Sequence, residues 1–151
     1  MARVGGYCPA LEAELKRFEW LGSVPHELVF TIMRQHDIFV FPSLFEGLAL
    51  VILEAMAQGL PVITTRNSGG PMAIDDGVNG FIVPIRDPDA IVGRVLELHG
   101  DRDRLASMGM AAWSKAEQMS WAARGRLMVD MLRSRLDGEK RVSAEPSGNR
   151  P

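Results

Sequence analysis

Residues 38–64 read IFVFPSLFEGLALVILEAMAQGLPVIT, a strand, a loop, a helix and a second strand in immediate succession. Ile38, Phe39, Val40 and Phe41 run without polar alternation, the pattern of a strand covered on both faces. Pro42 and Gly47 bound a short loop. The almost wholly apolar run that follows predicts a helix over 48–58, closed by Gly59 in the left-handed exit position and by Pro61 shortly after. Val62, Ile63 and Thr64 open another β-rich run. Two strands joined by a helix in so short a span form a parallel crossover unit.

The same alternation extends outward. Residues 18–21 and 81–83 predict further strands, and a fifth begins near Arg3 and Val4 before Gly5 and Gly6 interrupt it. Pro25 fits a first helical position with Glu27 in the first turn, which predicts a helix over 25–35. Asp87 and Pro88 read as cap and N1 proline of a helix over 89–99, with Gly100 closing it. Asp101 and Ser120 are candidate caps for two more helices, the second from Trp121 to about Leu136. The fold class is therefore α/β: a Rossmann-like parallel sheet with helices on both faces. Residues 1–137 form the domain. Residues 138–151, rich in Gly, Ser, Pro and charge and free of aromatics, predict a disordered tail.

Composition narrows the function. The 151 residues are 46% hydrophobic and 24% charged, with 17 Lys plus Arg against 19 Asp plus Glu. A formal net charge of −2 supplies no basic field for a polyanion, so no nucleic-acid partner is expected. The single cysteine, Cys8, cannot form an internal bridge. The longest apolar run, residues 48–53, is far short of the roughly 20 residues of a membrane span, and residues 1–17 lack a signal-peptide core. A cytoplasmic location is the expectation, with peripheral membrane attachment left open.

The chemistry concentrates in residues 41–59. In an open α/β sheet ligands bind outside the carboxyl ends of the strands, where loops feed helix N-termini. Gly47, without a side chain, lets a ligand approach backbone N–H groups at the predicted start of the helix, a natural anion site. Between Arg34 and Arg86 the only basic residue is Arg66, so a bound diphosphate would be held on this side by main-chain N–H groups. Glu54 is the only charged residue over 48–58. Its carboxylate needs water or a hydrogen-bonding partner: sugar hydroxyls would suit it, and so would the helix's one wet edge. Glu46 precedes it by eight positions. On one helix the two would lie roughly 12 Å apart along the axis, beyond the ~5–9.5 Å of a glycosidase pair, which favours separate roles along one extended ligand.

Residues 41–59 resemble the signature of the large retaining family of nucleotide-sugar glycosyltransferases of two-domain GT-B architecture (family 4, group 1). Two glutamates separated by seven residues and followed by AMAQGLPVI are its most specific mark. DIFVFPS (37–43), PVITTRNSGG (61–70), DDGVNGFIVP (75–84) and the Ser120–Trp121 pair resemble flanking blocks in order, so the resemblance covers about residues 3–135. It implies transfer of a sugar from a nucleotide diphosphate sugar to an acceptor with retention at the anomeric carbon, without a cofactor or bound metal. It places Glu46 beside the donor sugar at the reacting centre. The backbone at Gly47, Leu48, Ala49 and Leu50 would hold sugar oxygens and the diphosphate, and Glu54 the ribose. Base recognition would fall to the backbone of residues 22–24.

Two departures accompany the resemblance. Ala49 stands where the family commonly has a second glycine. Upstream, the acceptor domain and the strand with a basic pair that opens the donor domain are missing, so the chain reads as most of a donor-binding half, its partner a missing N-terminal acceptor domain. A noncatalytic binding module or inactive fragment is the alternative, and a receiver-like domain fits poorly because Asp75 and Asp76 do not cluster at strand ends. His26, His36 and His99 read as structural or surface residues and Cys8 as an inert thiol. Ser68, Gly69 and Gly70 are explained equally by a ligand contact or by a tight turn before a helix at Pro71.

Overall fold

Short apolar and β-branched runs form the strands, and helices fill every gap between the central ones. The computed structural model describes residues 2–3, 19–47, 49–123, 125–126, 128–131 and 133. Strands β1 (Ala2–Arg3) and β2 (Glu19–Trp20) pair in parallel as a two-stranded sheet. Val4, the expected helical stretch 10–17 and Phe18 lie outside the described residues. After helix α1 (His26–Met33) comes β3 (Phe39–Phe41), then α2 (Leu50–Ala57) and β4 (Val62–Thr65). A 3-10 turn (Arg66–Ser68) leads into the short α3 (Gly70–Ala73). Strand β5 (Gly80–Val83), α4 (Pro88–Gly100) and α5 (Arg102–Gln118) complete the order. The three central strands form one parallel sheet in the order β3-β4-β5, with Val40 opposite Ile63 and Ile63 opposite Phe81.

Strand alternation explains the two layers of helices. Val40, Ile63, Phe81 and Val83 share one face and pack with Leu98 of α4 and Leu105 and Met108 of α5. Helix α2 packs against β3 and β4 and contributes the fully buried Ile52, Ala55 and Met56. Its near-uniform apolarity follows from that central position. The expected α/β parallel sheet is thus the observed one.

Side-chain caps fix the starts of α4 and α5. Asp87 Oδ1 accepts from the Ala90 N–H at 2.9 Å and Pro88 follows at the first helical position. Asp87→Ala is expected to cost about 1 kcal/mol, read as a lowered urea midpoint. Asp101 Oδ1 accepts from the Arg104 N–H at 2.9 Å. Gly59 has φ 77° and closes the turn after α2 as expected. Gly100, by contrast, is still helical, and the extended Asp101 ends α4. Pro25 is not the first helical residue but the cap before it, with ψ 143°. Its carbonyl accepts from the Leu28 N–H at 3.0 Å. The ring fixes φ at −55° without requiring a helical ψ.

Two compact units divide the chain, Met1–Ala116 and Glu117–Pro151. In the second, residues 121–123, 125–126, 128–131 and 133 are helical, and Ser120 Oγ accepts from the Ala123 N–H at 3.2 Å, the expected cap. The predicted tail over 138–151 lies outside the described residues.

Candidate functional site

The carboxyl end of β3 delivers the loop of residues 42–49, and four hydrogen bonds tie that region to β4 and its following turn. Thr64 Oγ1 donates to Phe41 O at 2.8 Å and Thr65 Oγ1 to Ser43 O at 2.5 Å. Asn67 Nδ2 donates to Leu44 O at 3.1 Å, and the Glu46 N–H donates to Asn67 O at 2.9 Å. Ser68 Oγ, 2.6 Å from Thr64 Oγ1 and 2.7 Å from Thr65 O, extends the buried part of this lattice. Thr64, Thr65 and Ser68 are all fully buried, so these hydroxyls must be satisfied internally.

That attachment corrects the predicted start of α2. The helix begins at Leu50 rather than at residue 48, with Ala49 as an extended, buried N-cap at φ −69° and ψ 103°. Because residues 43–46 are held against the turn after β4, the chain cannot curl into a helix until it has left that contact. Gly47 therefore lies ahead of the helix, not in its first turn, and its N–H donates to Glu46 Oε1 at 3.2 Å. No side chain caps α2, so the N–H groups of its first turn face out of the helix beside this loop. Gly47 is notable for a different reason: its φ lies outside the left-handed range, and an added Cβ would meet nothing within 4 Å. Neither backbone conformation nor packing calls for glycine there.

Glu46, Gly47, Ala49, Leu50 and Glu54 thus occupy one loop and the first turns of one helix; Leu48 lies outside the described residues. Glu46 is exposed, Ala49 is buried and Leu50 is half-exposed. Arg66, the only basic residue between Arg34 and Arg86, is exposed in the turn that braces the loop. Ser68 is a buried strut and Gly69, at φ 72°, makes the tight turn into α3. A Cβ on Gly70 would press on Thr64, so that glycine is a packing requirement.

Glu54 has a partner that sequence spacing did not suggest. His26 Nε2 lies 3.1 Å from Glu54 Oε1, so a histidine read as structural or surface stands against the one carboxylate of α2. A second contact between the same helices, Arg34 Nε donating to Gln58 Oε1 at 2.8 Å, shows that α1 and α2 run in the same sense. The start of α1, and with it the loop over 21–25 where Gly22 has φ 64°, therefore flanks Glu54. Twenty-eight residues separate the pair, and no local pattern carries that signal.

Asp75 and Asp76 are engaged within the fold. Asp75 Oδ2 receives Lys115 Nζ at 2.9 Å, and Asp76 Oδ1 accepts from the Ile82 N–H at 2.9 Å. A groove of about 450 Å³ lies at the opposite end of the sheet, lined by Asp37, Leu60, Pro61, Gly109 and Trp113, away from the loop over 42–49. No group of three or more His, Cys, Asp or Glu is placed to hold a metal among the described residues. Nor is any of their helices long and apolar enough to cross a membrane.

Comparison with known proteins identifies the family and the fold. The chain is 37% identical over 112 residues to a D-inositol 3-phosphate glycosyltransferase of Corynebacterium kroppenstedtii, covering 74% of this chain and 25% of that one. It is 33% identical to a GDP-mannose-dependent alpha-(1-6)-phosphatidylinositol monomannoside mannosyltransferase of Mycolicibacterium smegmatis, over 93% of this chain and 41% of the relative. The fold is also that of Anabaena HepE, solved with UDP-glucose: TM-score 0.74 and 21% identity over 88% of this chain and 40% of the other. The chain thus spans about a quarter to two fifths of the length of these relatives. Residues 2–101 match the family described as glycosyl transferases group 1. With the fold, the ordered sequence blocks and this match together, the chain belongs to the group 1 glycosyltransferase family.

Proposed function

We propose that residues 1–137 supply the donor-binding half of a GT-B glycosyltransferase that moves a sugar from a nucleotide diphosphate sugar to an acceptor with retention of anomeric configuration. The observation that carries this reading is the braced loop over 42–49, which puts Glu46 and an unexplained glycine at the mouth of an uncapped helix bearing one carboxylate. Glu46 lies beside the donor sugar. The main chain of Gly47, Leu48, Ala49 and Leu50 receives sugar and diphosphate oxygens, and Glu54 receives the ribose. The GDP-mannose dependence of the Mycolicibacterium smegmatis relative and the UDP-glucose bound to HepE support a nucleotide sugar as the ligand class.

Chemistry on this scaffold is electrostatic. The leaving group is a nucleotide diphosphate, and N–H groups fixed before the reaction favour its developing charge over the ground state. The reading assigns no side-chain nucleophile and no metal. The acceptor comes from a second, N-terminal domain, which also excludes water from the reacting centre.

The test is calorimetric titration of the full chain with UDP, GDP and ADP, beside Glu54→Ala. One nucleotide is expected to bind selectively and to lose roughly 1–3 kcal/mol in the variant. Absence of binding from a folded chain would count against the donor-site reading; unchanged affinity in the variant would remove the ribose role of Glu54.

A further inference from the structure

We infer that His26 is a positioning residue for Glu54, holding one carboxylate oxygen so that the other faces the ribose hydroxyls of the donor nucleotide. The inference rests on the ribose reading of Glu54. The Glu54 side chain is 26% exposed, and among the described residues its one hydrogen-bond partner is His26 Nε2, at 3.1 Å from Oε1. Oε2 carries no contact within that set. A carboxylate has two oxygens and about four lone-pair sites, so one hydrogen bond to imidazole leaves ample capacity for a vicinal diol.

The imidazole is itself held in place. His26 is the first residue of α1, entered through Pro25 with its fixed φ of −55°. Its ring stands edge-on to Phe30, one turn along, with centroids 5.0 Å apart and planes at 87°. The chain just before it, at Gly22 and Val24, is the stretch expected to face the base. A nucleoside reaching from that loop to Glu54 would pass beside the His26–Glu54 contact.

Stability alone gives this contact little purpose. The His26 side chain is 65% exposed, and an exposed pair of this kind adds at most about 1 kcal/mol to folding. Positioning gives it one. A free glutamate side chain has up to about 2 kcal/mol of rotamer entropy to lose on being fixed; fixing it before the ligand arrives removes that cost from binding.

The experiment uses the full chain, the ribonucleoside diphosphate among UDP, GDP and ADP that binds it, and the 2′,3′-dideoxy form of the same nucleotide. His26→Ala is expected to weaken the ribonucleotide by about three- to tenfold and to leave the dideoxy form unchanged. His26→Gln, whose amide can still donate to Oε1, should restore most of the loss. In a Glu54→Ala background, His26→Ala should have no further effect, since the two act as one unit. Wild-type affinity in His26→Ala, with Glu54→Ala weakened, overturns the positioning role and leaves the ribose reading standing. Equal weakening of both nucleotide forms also overturns it, because the histidine would then act elsewhere than through the ribose contact. No effect of Glu54→Ala removes the ribose role and this inference with it, and no nucleotide bound at all overturns the donor reading as well.

Discussion

Phe81→Ala is expected to lower the unfolding free energy by about 3–5 kcal/mol, a large share of the 5–15 kcal/mol typical of a domain. Phe81 is fully buried in β5 and packs in one cluster with Ile63, Leu98, Leu105 and Met108. Its ring is also covered by charge: the Arg94 guanidinium lies 4.5 Å from the centroid and that of Arg104 5.6 Å away. Glu97 holds both arginines, at 2.7 and 2.6 Å. Truncation would open a cavity and strand the two guanidiniums over it, adding the loss of cation–π contacts to the loss of burial. Urea unfolding should show a much lower midpoint with the slope unchanged. A midpoint within error of the parent would mean that this cluster is not where the stability lies.

Gly47→Ala is expected to do the reverse, sparing the fold and losing the ligand. The backbone at Gly47 is not left-handed and an added Cβ meets nothing within 4 Å, so the unfolding free energy should hold or rise by up to about 1 kcal/mol through a stiffer unfolded chain. On the proposed donor reading a methyl at that spot would stand between the donor and the main chain, and affinity for the nucleotide sugar should fall at least about tenfold, or 1.4 kcal/mol. Calorimetric titration beside urea unfolding separates the two effects. Parental affinity in the alanine variant would show that no ligand approaches the chain there. Gly109 offers the contrast: a Cβ on it would lie 2.5 Å from Gly59 O, so its glycine is explained by helix packing.

The strands and most caps were legible in the sequence because their signals are local. Val62, Ile63 and Thr64 announce a buried strand in three letters, and Asp87 with Pro88 announces a helix start in two. The start of α2 was misplaced by two residues because its cause is distant. The apolar run from Leu48 gives no hint that Thr65 and Asn67, some twenty residues on, hold the chain out of a helix as far as Glu46. The same limit hid His26, whose meaning depends on a carboxylate on another helix. That Glu46, Gly47 and Glu54 share one loop and one helix was legible because those elements are contiguous in sequence.

One property of the loop after β3 bears on how such a site diversifies. Every group that the loop offers to its brace is main chain: the carbonyls of Phe41, Ser43 and Leu44 and the N–H of Glu46. The side chains that fix its path belong to Thr64, Thr65 and Asn67. Leu44 and Phe45 meanwhile project outward, at 51% and 89% exposure. Shape and surface are thus encoded in different genetic positions. Mutation can rewrite what the rim presents to its surroundings while the curve that carries it, written in β4 and its turn, is inherited unchanged.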